Sequence, residues 1–288
     1  MTTKQLEKKA NAIRQDIIKM LEEAGSGHVA GPLGMADVFT ALYFEVLNHN
    51  PKDPDWAERD AVFLSNGHIA PVLYTTLAHA GYFPKKELAT LRKFGSRLQG
   101  HPERTKLPGI ENTSGPLGNG LGQAVGFALD QKLRGEHGRY VYCLTGDGEL
   151  NEGVIWEGIM LAAKYHLYNL TVIVDRNNIQ IDGLTEEVMP LEDLKAKWQA
   201  FGWHVLEVDG HNIEDIVAAC NMAKAIVEKP VVVLAHTIPG KGVDFMQFDH
   251  HWHGYFVDSE KGPKAQSAAK EALNQLRSMN GKIEGEHK

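Results

Sequence analysis

The second half of the chain alternates short β-rich runs with helical segments, and this rhythm limits the fold more than any other feature. The runs are Tyr140–Leu144, Leu170–Val174, His204–Val208 and Val231–Ala235. Segments with helical spacing lie between them, such as Ile155–Tyr165 and Ile213–Val227. Strands that alternate with helices predict a mostly parallel sheet with helices on both faces, that is, a doubly wound α/β fold. An earlier apolar run, Ala61–Ser65, ends in Asn66-Gly67 and predicts another buried strand. Helices are predicted over Leu6–Ala24, about Met35–Leu47, Ala70–Ala80, and from Pro263 to about Met279. The first places Ile13, Ile17, Met20, Leu21 and Ala24 on one face and stops at Gly25-Ser26-Gly27. The stretch from Gly95 to Gly122 is rich in glycine and proline and reads as loop. The residues from Asn280 onward read as a frayed end.

The 288 residues are enough for a sizeable core, and no repeat or low-complexity linker divides them. Residues 1–288 are therefore read as one domain. A net charge of −7 gives no basic field, so nucleic acid is not an expected partner. Cys143 and Cys220 both lie in apolar surroundings, which predicts two buried thiols rather than a disulfide. The N-terminus lacks the apolar region of a secretory signal, and no run of 18 apolar residues occurs. The expectation is a cytoplasmic protein that does not enter membranes.

Ligands of doubly wound sheets sit beyond the carboxyl ends of the strands. There the chain reads Thr145-Gly146-Asp147-Gly148 after one strand and Asp175-Arg176-Asn177-Asn178 after the next. Alone, Gly-Asp-Gly is an ordinary turn and Asn-Asn an ordinary loop. Placed after neighbouring buried strands, Asp147, the Asn177 side-chain oxygen and a nearby backbone carbonyl form a donor set for a hard cation such as Mg²⁺ or Ca²⁺.

Gly146-Asp147-Gly148, with 28 residues before Asn177-Asn178, resembles the thiamine diphosphate signature. The longer run Gly146-Asp-Gly-Glu-Leu-Asn-Glu152-Gly-Val-Ile-Trp-Glu157, and then Ile179-Gln-Ile-Asp182-Gly183, resembles transketolase in particular. Ser26-Gly-His28, Ser65-Asn-Gly-His68, Gly100-His101-Pro-Glu103, Gly115-Pro-Leu-Gly118 and Trp252-His253-Gly254 fall in that family's order. The resemblance implies a fold that binds the diphosphate of thiamine diphosphate through a divalent metal, Mg²⁺ or else Ca²⁺ or Mn²⁺. It implies that Asp147, Asn177 and the Ile179 carbonyl hold the metal. His68, Gly115, Leu117 and Gly148 contact the cofactor, and Asn177 reaches it through the metal. Glu152 matches an acid that the family places at the subunit interface beside the cofactor. His28, His101 and His253 line the substrate channel as catalytic residues.

Imidazoles on converging loops suit proton transfer near neutral pH. By contrast, His49, His79, His137, His166, His204 and His211 are expected to serve packing alone. His250 and His251 precede His253 directly, so either is a competing match, and a metal site in this His-rich loop is a lesser alternative. The chain departs from the family at Val29-Ala-Gly-Pro and at Asp244–His251, which puts sugar specificity in question more than cofactor binding.

A complete transketolase has a second, pyrimidine-side domain, which is expected here to be carried by a separate partner chain. The resemblance thus implies the N-terminal subunit of a split enzyme, inactive without a C-terminal partner and assembled as two of each. The implied reaction moves a two-carbon ketol unit from a ketose phosphate to an aldose phosphate, as in the pentose phosphate pathway. Three alternatives stand beside it. The first is a split enzyme for an unusual pentose or a sulfosugar. The second is a non-catalytic binding or regulatory paralogue. The third is a nucleotide-binding α/β protein, disfavoured because Gly115-Pro-Leu-Gly118-Asn-Gly120 lacks the Gly-x-Gly-x-x-Gly spacing.

Overall fold

The computed structural model describes residues 1–136, 138–254 and 262–279, with backbone alone over 262–266. His137 and the tail from Asn280 lie outside the described residues. Helix α1 spans Thr3–Ala24. Thr2 and Gln5 close its start as a reciprocal capping box, and Gly25 ends it with φ +68° and an N–H to Leu21 O at 3.0 Å. The helix expected over Met35–Leu47 is divided. α2 (Ala30–Gly34) and α3 (Ala36–Ala41) meet at Met35, and Leu42–Val46 forms one π turn. The Leu47 N–H reaches back to Leu42 O and the chain then turns extended, which stops the helix.

The central sheet has five parallel strands: β1 (Ala61–Leu64), β2 (Val141–Gly146), β3 (Leu170–Arg176), β6 (His204–Asp209) and β7 (Val231–His236). These are the five strands that the sequence predicts. A two-stranded antiparallel hairpin, β4 (Ile179–Gln180) with β5 (Gly183–Leu184), follows β3 and is not predicted by the sequence pattern. Side chains alternate between the sheet's two faces. Val62, Leu64, Tyr142, Leu144, Ile173 and Val233 join one core, with α1, α3, α4 (Ala70–Ala80) and α9 (Ile213–Ala225). Phe63, Val141, Cys143, Val172, Val174 and Val232 join the other, with α5 (Asn119–Leu133), α6 (Gly153–Lys164) and α8 (Leu194–Ala200). Burial on both faces explains why these strands read as continuous apolar runs. Cys143 and Cys220 are both buried and free, one in each core. A four-residue turn of helix, α7 (Thr185–Val188), follows the hairpin, and α10 (Gly262–Ser278) packs against α1.

The strand order is β1-β2-β3-β7-β6. Chain order advances from β1 to β3 and returns from β6 to β7, so its direction reverses between β3 and β7. A crevice at such a reversal is where open α/β sheets take ligands. Asp175, near the end of β3, and Thr237, just past β7, meet there. β1 is an edge strand, and an edge leaves backbone groups unpaired. Asn112 covers this edge like a short strand: its Oδ1 accepts from Leu64 N–H (3.0 Å) and its Nδ2 donates to Leu64 O (3.1 Å).

Candidate cofactor and metal site

The carboxyl ends of β2 and β3 carry the polar residues that the sequence singles out. Asp147 is buried, and donors hold its carboxylate on both sides. Oδ1 accepts from Gly148 N–H at 2.7 Å. Oδ2 accepts from Asn178 N–H at 2.7 Å and from Arg176 Nη1 at 3.1 Å. Asn178 adopts the left-handed conformation, φ +62°, that aims its N–H at this oxygen. Asn177 is also buried. Its Oδ1 accepts from Ile179 N–H at 3.0 Å, and its Nδ2 donates to Asp175 at 2.9 Å. Burial pushes the Asp147 carboxyl above its ordinary value, against the pull of Asn178 and Arg176. Burial, with the Asp147 charge beside it, pushes Asp175 up to about 7, against hydrogen bonds from Thr237 and Asn177. Asp147 and Asn177, with Asp175 beside them, gather carboxyl and carboxamide oxygens into a pole that suits a small, hard cation, while Arg176 offsets part of the Asp147 charge.

The second group is a triangle of imidazoles. Ring centroids of His28 and His68 lie 4.9 Å apart, His68 and His253 5.3 Å, and His28 and His253 5.6 Å. Three distant segments bring them together: the turn before α2, the 3₁₀ turn Gly67–Ile69 after β1, and the loop after β7. A Cβ on Gly254 would make an ordinary contact with His28 Nε2 at 3.7 Å, whereas one on Gly67 would overlap Ser114 Oγ at 2.5 Å, so the turn that bears His68 needs glycine there to pack on Ser114. Burial lowers the His28 pKa to about 3, helped by His253, Arg92 and His101, and it lowers His253 to about 4. It also carries His68 well below the ordinary histidine value, with His28, His253 and His101 adding to the shift. All three rings are neutral at pH 7, so each carries one donor and one acceptor nitrogen.

His101 stands at the rim and is exposed, with its pKa lowered by partial burial and by Arg92. Gly115 faces it: a Cβ there would sit 3.9 Å from the His101 ring. Gly115, Leu117 and Gly148 are half-buried. Glu152 is exposed at the N-terminus of α6 and is not drawn into the pocket. Of the three competing histidines, His253 joins the triangle. His251 is exposed and paired with Asp249 at 2.7 Å. Asp249, His250 and His251 bring one ligand atom each within 4.8 Å of one another, so the lesser metal alternative keeps its donor set on a separate surface turn.

Some site residues carry no signal in their local sequence. Arg92 lies beside both His28 and His101, and Asp175 and Thr237 interlock under the metal pole. Asn66 is fully buried, yet neither its Oδ1 nor its Nδ2 has a partner among the described residues. Its side chain lies 3.8 Å from where a Cβ on Gly146 would project, next to the residue that leads into Asp147. Ser114 Oγ, His28 Nδ1 and His253 Nδ1 are likewise buried without a hydrogen-bond partner among the described residues. Buried polar atoms are nearly always satisfied. Orphans on the imidazoles and on the neighbouring Asn66 and Ser114 therefore fit a polar ligand that carries its own cation. Thiamine diphosphate with a divalent metal meets that description.

Of the histidines expected to serve packing, His166 is exposed, whereas the side chains of His211 and His79 are buried. His211 is buried, accepts from Ile238 N–H at 2.7 Å through Nε2, and faces Asp37 through Nδ1 at 2.8 Å. His79 pairs with Asp16 at 2.9 Å. Among the described residues no helix is long and apolar enough to cross a membrane.

Comparison with known proteins agrees with this geometry. The family described as "Transketolase, thiamine diphosphate binding domain" matches residues 5–269. The chain is 44% identical over 243 residues to the 6-deoxy-6-sulfo-D-fructose transketolase subunit of Clostridium sp. (strain MSTE9), covering 84% of this chain and 88% of that one. It is 38% identical over 281 residues to an apulose-4-phosphate transketolase subunit of Phocaeicola vulgatus, covering 97% and 99%. The solved transketolase from Leishmania mexicana superposes with a TM-score of 0.83 at 35% identity, covering 96% of this chain. The chain spans only 44% of that structure's length. The chain belongs to the transketolase family and carries its thiamine diphosphate binding domain.

Proposed function

We propose that this chain is the diphosphate-side subunit of a split, thiamine diphosphate-dependent transketolase. In that reading the protein is one domain over residues 1–288 and pairs with a C-terminal subunit that supplies the pyrimidine side, as two of each. The reaction moves a two-carbon ketol unit from a ketose donor to an aldose acceptor, both carried as sugar phosphates. The supporting observation is that His68 of the triangle, just past β1, and Asp147 and Asn177, just past β2 and β3, lie at the same carboxyl edge of the sheet. The match with relatives named as subunits, over 88% and 99% of their length, supports the split arrangement.

Asp147, the Asn177 side-chain oxygen and the Ile179 carbonyl would hold the metal, with Mg²⁺ the expected ion and Ca²⁺ or Mn²⁺ as substitutes. His68, Gly115, Leu117 and Gly148 would surround the cofactor. Glu152, exposed at the start of α6, would meet the partner subunit. When bound, thiamine diphosphate supplies a nucleophilic carbon and stores the electron pair released when the sugar's carbon–carbon bond breaks. His28, His101 and His253 hold the sugar hydroxyls and move protons to and from developing alkoxides. Neutral imidazoles suit that exchange, because one nitrogen accepts while the other donates.

A second reading concerns the sugar alone. The two relatives are named for 6-deoxy-6-sulfo-D-fructose and for apulose 4-phosphate. A donor outside the pentose phosphate pathway therefore fits this chain. A cytoplasmic location accords with either sugar. The test is reconstitution. The chain alone, with cofactor and Mg²⁺, should not turn over xylulose 5-phosphate with ribose 5-phosphate, and adding the partner subunit should restore turnover. A panel of ketose donors with the reconstituted pair then separates the two sugars. Full activity from the chain alone would contradict the split reading.

A further inference from the structure

Glu149 lies between the metal pole and the start of α6, in the 3₁₀ turn Gly148–Asn151, and is 2% exposed. Three donors converge on its carboxylate. Oε1 accepts from Ser65 Oγ at 2.5 Å and from Gly118 N–H at 2.5 Å, and Oε2 accepts from Gly146 N–H at 3.0 Å. Hydrogen bonds to an ionised acceptor are short and strong, and the Ser65 Oγ contact has the length of that class.

The three donors belong to three separate segments, each of which carries residues of the candidate site. Ser65 follows β1 and leads into Asn66-Gly67-His68. Gly118 closes Gly115-Pro116-Leu117 and begins α5. Gly146 ends β2 and leads into Asp147. Gly118 has φ +85°, and no side chain of its own helix start caps α5. Its N–H is one of the donors that a helix start leaves unsatisfied, and Glu149 accepts it from 31 residues away. The segments are also pressed together: a Cβ on Gly120 would fall 2.5 Å from Ser65 Cα. The backbones are close enough to share one acceptor.

We propose that Glu149 is a positioning residue that locks the three cofactor-binding segments into one register. It touches neither substrate nor cofactor. It fixes the spacing between His68, the Gly115–Leu117 loop and Asp147, so that one ligand meets all three at once. The proposal rests on the thiamine diphosphate reading for its ligand, whereas the coupling of the segments stands on the hydrogen bonds alone.

Glu149→Gln tests it. The amide keeps one acceptor oxygen and turns an NH₂ toward a backbone N–H, so at least one of the three arms is lost. Calorimetric titration of thiamine diphosphate into the pair reconstituted with its partner, at saturating Mg²⁺, should show affinity reduced by about 10- to 100-fold. Donor KM at saturating cofactor should stay unchanged. Hydrogen exchange in the full chain without cofactor should rise together over 65–68, 115–119 and 146–148. Ser65→Ala removes one arm and should give a smaller loss of affinity, with faster exchange in the first segment. It also serves if Glu149→Gln does not fold. Reduced thermal stability with unchanged cofactor affinity, or exchange that rises only around residue 149, would overturn the proposal. If the unaltered pair binds no thiamine diphosphate while the three segments still loosen together, the cofactor reading fails and the locking role survives.

Discussion

The metal pole and the histidine triangle lie at the same edge of the sheet but are built in opposite ways. At the pole, both Asp147 oxygens, both Asn177 side-chain groups and both Asp175 oxygens have protein partners. Two adjacent strands in register set the spacing, since Gly146 pairs with Asp175. The triangle rests on three loops, and two of its rings have a buried nitrogen without a partner among the described residues. The pole is preorganised by backbone, so its geometry precedes any ligand. The triangle keeps hydrogen-bonding capacity in reserve at the price of burying unsatisfied nitrogens. On the proposed function the contrast divides the labour: the pole and His68 anchor the cofactor, and His28 and His253 exchange protons with what is anchored.

The largest expected effect breaks the pole. Asp147→Ala in the reconstituted pair should raise the Mg²⁺ concentration for half-maximal activation on the order of 100-fold or more, and cofactor affinity should fall with it. A metal titration of activity that is unchanged would make Asp147 a turn residue only. Next comes the triangle. His253→Ala should lower donor kcat/KM by about 10²–10⁴ while leaving the half-saturating cofactor concentration nearly constant. His68→Ala should instead raise that cofactor concentration. Both are read from steady-state kinetics with donor and cofactor varied separately. The same response in both variants would dissolve the distinction between anchor and exchanger.

Acid should act on the triangle's folding energy. The folded pKa values, about 3 for His28 and about 4 for His253, lie below the unfolded value near 6.5, and His68 is shifted the same way. Above pH 6.5 folded and unfolded chains both hold neutral rings, so these groups add no pH dependence. As pH falls below 6.5 the unfolded chain takes up protons first, and stability declines toward pH 4. Denaturant midpoints at pH 7, 6 and 5 should show this decline, and it should be shallower in His28→Gln. Equal slopes in both proteins would place the acid sensitivity elsewhere. The smallest effect is expected at His251, which is exposed and outside the triangle. His251→Ala should change donor kcat/KM by less than about twofold. A loss like that of His253→Ala would move the catalytic role along the loop.

The difference between the two groups also explains what is legible in the sequence. The pole can be read because its residues follow predicted strands directly. β2 and β3 place Asp147 and Asn177 by local chain alone. The triangle can be gathered only through resemblance, because no periodicity says that the segments bearing His28, His68 and His253 converge. α5 is hidden because Gly118, Gly120, Gly122 and Gly126 read as loop, yet the glycine at 120 is what lets the helix start press on Ser65. The helix over Met35–Leu47 reads as continuous because its apolar spacing does not reveal the break at Met35 or the π turn. The roles of Glu149, Asn66 and Asp175 depend on partners or empty space supplied by distant segments, so their local sequence carries no sign of them.

The central claim is that Asp147 and Asn177 hold a cation through which this chain grips a diphosphate. The most direct measurement is calorimetric titration of thiamine diphosphate into the reconstituted pair, with Mg²⁺ present and again after chelation, for the unaltered chain and for Asp147→Ala. The account predicts saturable binding at one cofactor per copy of this chain with Mg²⁺, and a loss on the order of 100-fold or more on chelation or substitution, with no further loss when the two are combined. Equal affinity with and without the cation, or a substitution that weakens binding only when the cation is absent, would contradict it.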